Sequence, residues 1–279
     1  MRPEADGNAR TLSADDVAEL FFCFKSFKHI LLGVSGGPDS VAMMVLAREW
    51  KKARGPSRPK ISVATVDHGL RQGSQDEAQS VGKQARALRL PHAVLQWRGA
   101  KPKTGIQDAA RDARYALLIA HARKIGADAI AVAHHADDQA ETILMRLAAG
   151  SGLAGLSGMK AETERDGLVL LRPFLSVPSA RLRASLIDRG HAFIDDPSNE
   201  NSAFARVRWR KARDLLADEG LTRDRLVRLS TRMARADAAL AHYAVEAERR
   251  HRMPDEVGVL YAPALFEEPF EELCGGQVA

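Results

Sequence analysis

Residues 35–40 read Ser35-Gly36-Gly37-Pro38-Asp39-Ser40. They lie between a short apolar run, residues 29–34, and a stretch with helical character, residues 41–50. This order predicts a strand, a tight loop and a helix, and ligands of open α/β sheets bind where such a loop leaves its strand. We therefore expect residues 35–40 to form the ligand-binding loop of an α/β domain.

The composition of this loop indicates phosphate as the ligand. Gly36 and Gly37 let the backbone approach phosphate oxygens, the helix N-terminus supplies N–H donors, and Ser35 and Ser40 supply hydroxyl groups. Asp39 would repel phosphate unless a cation lay between them, which predicts Mg²⁺ bound by Asp39. The alternative is an ordinary turn, in which Gly-Gly-Pro bends the chain and Asp or Ser caps the helix. The loop matches neither GxxxxGK[ST] nor GxGxxG.

Strand and helix patterns alternate through the rest of the first 200 residues. Apolar runs at 61–66, 93–97 and 128–133 predict strands, and helical patterns are found at 76–89, at 106–124 and up to about residue 147. This alternation predicts an α/β fold with a Rossmann-like parallel sheet and helices on both faces. A short apolar run at 168–171 and a helix starting near residue 179 complete a domain of residues 1–200, of which 1–27 form an N-terminal extension.

The remainder of the chain is helical and unevenly charged. Apolar residues at helical spacing between 215 and 240 predict a small all-α domain, 201–253, with thirteen Arg and Lys against seven Asp and Glu. Residues 254–279 contain six acidic and no basic residues, and we expect this acidic tail to be loosely ordered. The basic segment is the better candidate for contact with a polyanion, although a solvated helix face fits the same composition.

The overall composition is that of an ordinary soluble globular protein, with 279 residues, 45% apolar, 28% charged and a net charge of +5. Its apolar runs are far shorter than the roughly 20 residues of a membrane helix. Its acidic N-terminus is unlike a signal peptide, so we expect a cytoplasmic protein without membrane contact. Cys23 and Cys274 are too far apart in the sequence for a CxxC pair or a zinc motif. The sequence leaves the oligomeric state open, a homodimer included.

The loop resembles the SGGxDS pyrophosphate loop of the N-type ATP pyrophosphatases, the PP-loop superfamily, which cleave ATP to AMP and pyrophosphate. Further segments are similar to signatures of the tRNA(Ile)-lysidine synthetases within that superfamily: 66–71, 110–115, 134–142, 150–156, 172–173 and 196–199. The resemblance implies an adenine nucleotide alpha hydrolase-like fold that uses ATP and Mg²⁺. It also implies a ligase that adenylates the C2 oxygen of the wobble cytidine in tRNA(Ile) with a CAU anticodon, and then attaches free L-lysine.

The resemblance assigns the ATP side of the reaction to several residues. Asp67 and His68 follow the second predicted strand, where adenosine binds in the family. Arg111 and Arg114 lie three apart on one helix face and are assigned to clamp phosphate or the developing oxyanion. The alternative for these two arginines is an exposed helix with salt bridges to aspartates of the same helix.

Lysine requires carboxylates at the site, because its ε-amine must lose a proton before it attacks. Asp137 and Glu141 are four apart on a predicted helix and are assigned to bind the ammonium group, with His134 or Asp138 assisting proton transfer. The alternative is an acidic helix N-terminus that favours the helix dipole. We interpret His135 as structural, closing the end of the preceding strand.

We assign Arg206 and Arg210 to the tRNA, and Trp209 is either a stacking plane or a core residue. Two rival functions remain, a tRNA thiolase and a catalytically idle nucleotide-binding or RNA-binding module. Thiolases that carry sulfur on the enzyme need paired cysteines. Many lysidine synthetases continue into a further C-terminal domain, whereas this chain ends in the acidic tail, so a short natural form and part of a longer protein both remain open.

Overall fold

The computed structural model describes residues 9–53, 59–70, 73–99, 101–102, 104–194, 205–253 and 260–264. The first part of the chain contains, in order, α1 (Ala14–Leu20), a 3₁₀ turn (Phe22–Ser26), β1 (His29–Gly33), α2 (Pro38–Ala53), β2 (Lys60–Asp67), α3 (Ser74–Ala87), β3 (His92–Gln96), α4 (Ile106–Ile125) and β4 (Ala129–Ala131). The second part contains α5 (Ala136–Ala148), α6 (Leu153–Leu156), β5 (Glu162–Arg165), β6 (Leu168–Leu171), α7 (Ser179–Asp188), α8 (Ala205–Asp218), α9 (Arg223–His251), β7 (Arg252–Met253) and β8 (Leu260–Tyr261).

The main sheet has six strands in the order β3-β2-β1-β4-β6-β5. Every neighbouring pair is parallel except β5 and β6. The predicted α/β class is therefore confirmed, and the sheet departs from the parallel arrangement only at the β5 edge. Asp166 and Gly167 connect β5 to β6, and both have positive φ angles, 52° and 74°. This Asp-Gly turn forms a tight hairpin, which makes the edge pair antiparallel.

Helices cover both faces of the sheet, as predicted. Ile30 and Leu32 of β1 belong to an apolar cluster that includes residues of α1, α2, α3 and α7, whereas Leu31 belongs to a second cluster with α4. All three side chains are completely buried, which explains why β1 reads as a continuous apolar run. The N-terminal extension joins the first cluster through Val17 and Phe21, so it is part of the core.

The candidate site lies at the topological switch point of the sheet. After β1 the chain forms α2 and then β2, which pairs with one side of β1. Strand β4 pairs with the other side of β1. The loops that follow β1 and β4 therefore start at the same edge of the sheet and diverge, which creates a crevice between them. Residues 34–37 follow β1, and residues 132–135 follow β4.

The helical C-terminal part packs on α5. One apolar cluster combines Ala140, Ile143 and Leu144 of α5 with Leu226 of α9, and the partly buried Trp209 packs against it. The core interpretation of Trp209 therefore holds. The predicted boundary between residues 200 and 201 falls outside the described residues.

Most of the acidic tail also falls outside the described residues. Within residues 260–264, however, Leu260 and Tyr261 pair with Arg252 and Met253 as an antiparallel ribbon. The expectation of loose order is therefore wrong for this short stretch. None of the described helices combines the length and apolar character that crossing a bilayer demands.

Candidate active site

The loop between β1 and α2 is shaped by the hydroxyl group of Ser40. Ser40 Oγ accepts hydrogen bonds from the amides of Ser35 (3.1 Å) and Gly36 (3.2 Å) and donates to the carbonyl of Gly37 (2.9 Å). Ser40 is buried, whereas Ser35 is exposed. Ser40 therefore holds the loop together from inside, a role different from the phosphate contact that we expected from its sequence position.

The two loop glycines serve different purposes. Gly36 has φ +99°, and a Cβ atom at this position would lie 2.9 Å from Ile194 Cδ1. Gly37 needs no positive φ, and a Cβ there would meet only Ser35 Oγ, at 3.8 Å. Gly36 is thus required by the loop conformation, while Gly37 leaves open space beside the first turn of α2. The first-turn amides of a helix have no carbonyl partner within it, so this space suits an anion such as pyrophosphate.

Asp39 lies in the first turn of α2, and its carboxylate is between the side chains of Ser179 and His135. Ser179 Oγ donates a 2.6 Å hydrogen bond to Asp39 Oδ1, and His135 Nε2 lies 3.5 Å from Asp39 Oδ2. Burial alone would raise the pKa of Asp39, but the His135 ring and the Ser179 hydroxyl hold it below its usual range. Asp39 is therefore ionised at neutral pH, as a ligand of a cation must be.

His135 connects the two loops at the switch point. It forms an isolated β-bridge with Phe174, which agrees with the structural role predicted for it, and it is the N-cap of α5. Its Nδ1 accepts a hydrogen bond from the Asp138 amide (3.3 Å) and lies 3.6 Å from Asp137 Oδ2. Its contact with Asp39 was not predicted, because that contact joins residues 96 positions apart.

Carboxylates surround the His135 ring and stabilise its charged form. Burial by itself lowers the pKa of His135, but the bond to Asp39 and the negative charges of Asp138, Asp39 and Asp137 outweigh it and raise the pKa to about 9. In the neutral ring Nδ1 accepts from the Asp138 amide, whereas in the protonated ring Nδ1–H faces the Asp137 carboxylate. Either form holds a proton on Nε2, opposite Asp39.

α5 begins at Ala136, and its acids have different surroundings. Asp138 accepts the His135 amide (3.2 Å) and completes a capping box, so one of its oxygens serves the helix N-terminus. Asp137 is half-buried and accepts the Ser179 amide through Oδ2 (2.9 Å). Glu141 is 6% exposed, one turn further along the same helix face. His134 is half-buried and precedes this helix in the chain.

Asp137 also contacts the C-terminal helical part. Arg223 Nη1, in the first turn of α9, lies 3.5 Å from Asp137 Oδ1. Both charges are only partly exposed, and the attraction of Asp137 and Asp224, against the cost of burial, raises the pKa of Arg223. A cation is thus already bound to the carboxylate that was assigned to the lysine ammonium group. The local pattern of basic and acidic residues does not indicate this pair.

Asp67 and His68 lie at the carboxyl end of β2, on the same edge of the sheet. Asp67 Oδ1 accepts the amide of Gly69 (2.9 Å) and the hydroxyl of Ser74 (2.7 Å), so it fixes the turn that leads to α3. Burial lowers the pKa of His68 to about 4, with a further contribution from the positive charge of Arg114. His68 is therefore a neutral ring at pH 7, and its buried Nδ1 has no hydrogen-bond partner among the described residues.

The two arginines of α4 point to different neighbours. The Arg111 guanidinium lies 5.6 Å from the centre of the Tyr115 ring, and Arg114 is exposed and close enough to His68 to affect its pKa. Burial and the nearby charge of Arg111 lower the pKa of Arg172, which follows β6 at the same edge. The result is a positive region beside the crevice. The alternative of a salt bridge within α4 does not describe Asp112, which pairs with Arg165 of β5 (3.6 Å).

The site fits Mg²⁺ that is bound by the protein and by substrate phosphates together. In the part of the chain that the structure describes, no group of three or more His, Cys, Asp or Glu side chains has the arrangement of a metal site. Mg²⁺ is commonly bound by one or two carboxylates together with substrate phosphates. Asp39, ionised and 24% exposed at the phosphate loop, matches that pattern.

Two of the predicted substrate residues cannot be placed in the site. Arg206 and Arg210 fall within α8, but their side chains lie outside the described part of the structure. Cys274, one of the two cysteines, also lies outside it. The other predicted residues lie on the loops and helices that meet at the carboxyl edge of the sheet.

Comparison with known proteins identifies the family. A model of the PP-loop domain matches residues 10–214. The chain is 49% identical to a tRNA(Ile)-lysidine synthase of Bradyrhizobium diazoefficiens over 93% of its own length and 72% of the relative. It is 53% identical to the corresponding protein of Rhodopseudomonas palustris, over 82% of this chain and 66% of the relative. The chain belongs to the tRNA(Ile)-lysidine synthase family. The family resemblance inferred from the sequence motifs is thus confirmed.

The match leaves part of each relative uncovered. The chain spans 62 to 72% of the length of the first three of these relatives. Among solved structures, a U34-tRNA thiolase from Methanococcus maripaludis with a [4Fe-4S] cluster is similar with a TM-score of 0.64 and 17% identity, over 78% of both chains. At this identity the likeness supports the fold alone. In the present chain burial raises the pKa of Cys23 to about 11, so this thiol is not an activated sulfur nucleophile.

Proposed function

We propose that this chain forms lysidine in the anticodon of tRNA(Ile) with a CAU anticodon, using ATP, Mg²⁺ and free L-lysine. The C2 oxygen of the wobble cytidine bonds to the α-phosphorus of ATP, and pyrophosphate leaves. The lysine ε-amine then bonds to C2, the C2–O bond breaks, and AMP leaves with the oxygen. Adenylation is needed because the C2 oxygen is otherwise a poor leaving group.

One observation carries this proposal beyond the family match: the phosphate loop and the acidic helix α5 meet at His135. The ring of His135 lies 3.5 Å from Asp39 through Nε2 and 3.6 Å from Asp137 through Nδ1. A carboxylate suited to Mg²⁺ and a carboxylate suited to an ammonium group are therefore neighbours. Two half-reactions at the C2–O group of one nucleotide require such proximity.

The ATP side of the proposal rests on the carboxyl edge of the sheet. Pyrophosphate occupies the open space beside Gly37 and the first turn of α2. Mg²⁺, bound by Asp39 and phosphate oxygens, would neutralise charge as pyrophosphate leaves. Adenosine binds next to Asp67 and His68, at the carboxyl end of β2, where the ring of His68 is neutral.

Arg111 and Arg114 serve the phosphate that is transferred. Both lie in the first turns of α4, which starts at the carboxyl edge, and Arg172 adds a third positive charge close to Arg111. Fixed positive charges beside a crevice stabilise the negative charge that develops when AMP is displaced. We assign the arginines to AMP and its leaving oxygen.

The lysine side of the proposal rests on α5. Asp137 and Glu141 share a helix face and bind the ammonium group. Proton removal from the ε-amine falls to a group next to them, and His134 and Asp138 are the candidates. His135 is a poor candidate, because the surrounding carboxylates raise its pKa to about 9 and favour retention of its protons.

The tRNA contact extends onto the helical part. The family name of the relatives supports tRNA(Ile) as the substrate, and α8 carries Arg206 and Arg210 close in sequence to Trp209, which packs against the α5 cluster. The part of α8 that carries these arginines therefore lies near α5, the helix that is assigned to lysine. A cytidine of an anticodon loop is already single-stranded and can enter the crevice at low cost.

Separating the half-reactions tests these assignments. Asp39→Ala should lower tRNA-dependent release of pyrophosphate by at least about 100-fold, because the Mg²⁺ ligand is lost. Asp137→Asn and Glu141→Gln should each raise the KM for lysine by roughly 10- to 100-fold and leave adenylation measurable. Near-normal pyrophosphate release by Asp39→Ala would contradict the ATP assignment. An equal loss of both half-reactions in the α5 variants would contradict the lysine assignment.

A further inference from the structure

Ser179 contacts two acids of the candidate site, Asp39 and Asp137. Its hydroxyl donates to Asp39 Oδ1 at 2.6 Å, and its backbone N–H donates to Asp137 Oδ2 at 2.9 Å. Asp39 is 140 residues away in the sequence and Asp137 is 42 residues away. One residue at the start of α7 therefore links the phosphate loop to the acidic helix.

We propose that Ser179 is a positioning residue that aligns Asp39 for the ATP half-reaction and Asp137 for the lysine half-reaction, an inference that rests on the proposed function. The hydroxyl serves the first carboxylate and the amide serves the second. The hydroxyl bond can be removed alone and the two bonds can be removed together, which makes the proposal testable at one position.

The hydroxyl of Ser179 is not needed to cap its own helix. α7 begins at Ser179 and its N-cap is Pro178, which makes no side-chain capping bond. A serine that caps a helix binds an amide two or three residues later, whereas this hydroxyl binds a carboxylate on another helix. The geometry therefore assigns the hydroxyl to Asp39.

The hydroxyl fixes the orientation of the Asp39 carboxylate. Oδ1 accepts the charge-assisted bond from Ser179, and Oδ2 lies 3.5 Å from His135 Nε2. Without the hydroxyl, the carboxylate can rotate toward the His135 ring and form a closer contact with Nε2. That contact would compete with Mg²⁺ for the same carboxylate.

The amide acts on Asp137 by a different route. The N–H of the first helical residue has no partner within its own helix, and the helix N-terminus favours a negative charge. The bond to Oδ2 holds Asp137 against α7, while Oδ1 lies 3.5 Å from Arg223. The Ser179 amide thus fixes one oxygen of the carboxylate before lysine arrives.

Three substitutions separate these contacts. Ser179→Ala removes only the bond to Asp39, and Ser179→Thr retains both bonds. Ser179→Pro removes both, and proline is well tolerated at the first position of a helix. The preceding Pro178 has φ −61° and ψ 138°, a conformation compatible with a following proline. Ser176→Ala, an exposed serine just before α7, is the matched control.

The experiment measures two constants for each variant: the Mg²⁺-ATP concentration for half-maximal pyrophosphate release with tRNA, and the KM for lysine. Ser179→Ala should raise the first by about tenfold, the loss expected for one bond to a charged acceptor, and leave the second unchanged. Ser179→Thr should restore the first. Ser179→Pro should raise both.

Several results would overturn the inference. They are wild-type constants for Ser179→Ala, a defect that Ser179→Thr does not restore, and an unchanged KM for lysine in Ser179→Pro. Melting temperatures within the range of the Ser176→Ala control exclude a general loss of structure. If the unsubstituted chain itself consumes no ATP with tRNA and lysine, the proposed function fails, and that result is distinct from each of these outcomes.

Discussion

Arg223 Nη1 lies 3.5 Å from Asp137 Oδ1, so the long helix α9 places a positive charge on the acid that we assign to lysine. The guanidinium is 30% exposed and the carboxylate 21% exposed, which leaves the pair partly accessible to solvent. The same helix packs on α5 through Leu226. The helical part therefore contacts the acid of the proposed lysine subsite and also packs on α5.

This pair predicts a change in lysine affinity. Replacing Arg223 by Gln removes a cation that neutralises Asp137, so the ammonium group of lysine should bind more strongly. We expect the KM for lysine to fall by about two- to fivefold, the size of a partly exposed ion-pair contribution. Arg223→Lys keeps the charge and serves as the control. A rise in KM for Arg223→Gln would mean that the arginine holds Asp137 in place.

Substitution of the two loop glycines by alanine should affect different properties, protein stability for Gly36 and ATP binding for Gly37. Gly36→Ala should destabilise the fold by about 1–2 kcal/mol, because alanine is unfavourable at positive φ; its Cβ would also meet Ile194 Cδ1. Gly37→Ala has room for its Cβ and should keep the melting temperature, but should weaken ATP binding, because the methyl group occupies space beside the first turn of α2. Calorimetric unfolding and ATP titration of both variants check this prediction. A loss of stability in Gly37→Ala alone would contradict it.

The neutral state of His68 predicts a pH dependence of stability. Burial lowers its pKa to about 4 from an ordinary value of 6.5. Between these two values the unfolded chain binds the proton more readily than the folded chain, so the free energy of unfolding must fall as the pH falls from 6.5 to about 4. His68→Gln removes this contribution. Its denaturant unfolding curves should show a smaller loss of stability over that interval, and an unchanged slope would contradict the burial of a neutral ring.

The arginines of α8 predict salt-dependent RNA binding. If Arg206 and Arg210 meet phosphates of the anticodon stem-loop, each alanine variant should bind tRNA more weakly and flatten the salt dependence by about one unit or less per contact. Arg249→Ala removes the same charge from the far end of α9 and is the control, since Arg249 is exposed and pairs with Glu246. ATP affinity should stay constant in all three. Unchanged tRNA affinity in both α8 variants would place the RNA elsewhere.

The α/β core and the phosphate loop were predictable because their signals are local. Apolar runs, the Gly-Gly-Pro turn and the helical spacing are properties of adjacent residues, and the structure has β1, β2 and α2 close to where the sequence indicates them. The β5–β6 hairpin was missed although Asp166-Gly167 is a strong hairpin signal. β5 itself, Glu162–Arg165, has charged residues at three of its four positions and no apolar alternation.

The connections within the site were not predictable, because they join residues far apart in the chain. Ser179 and Arg223 reach the acids of the site through long-range contacts, and neither stands in a motif. Ser40 was assigned to phosphate because hydroxyl groups commonly bind it, yet the fold uses this hydroxyl to hold the loop. Sequence patterns identify the residue types of a site, whereas the choice between ligand contact and internal support depends on tertiary packing.

Nucleoside analysis of tRNA(Ile) after incubation with the protein, ATP, Mg²⁺ and lysine tests the central claim most directly. We expect a new nucleoside whose mass equals that of cytidine plus lysine less one water, formed only when all components are present and with one AMP released per nucleoside. Labelled lysine should appear in that nucleoside, and tRNA(Ile) whose wobble cytidine is replaced by uridine should give none. Release of AMP without incorporation of lysine, or incorporation of sulfur in its place, would contradict the account.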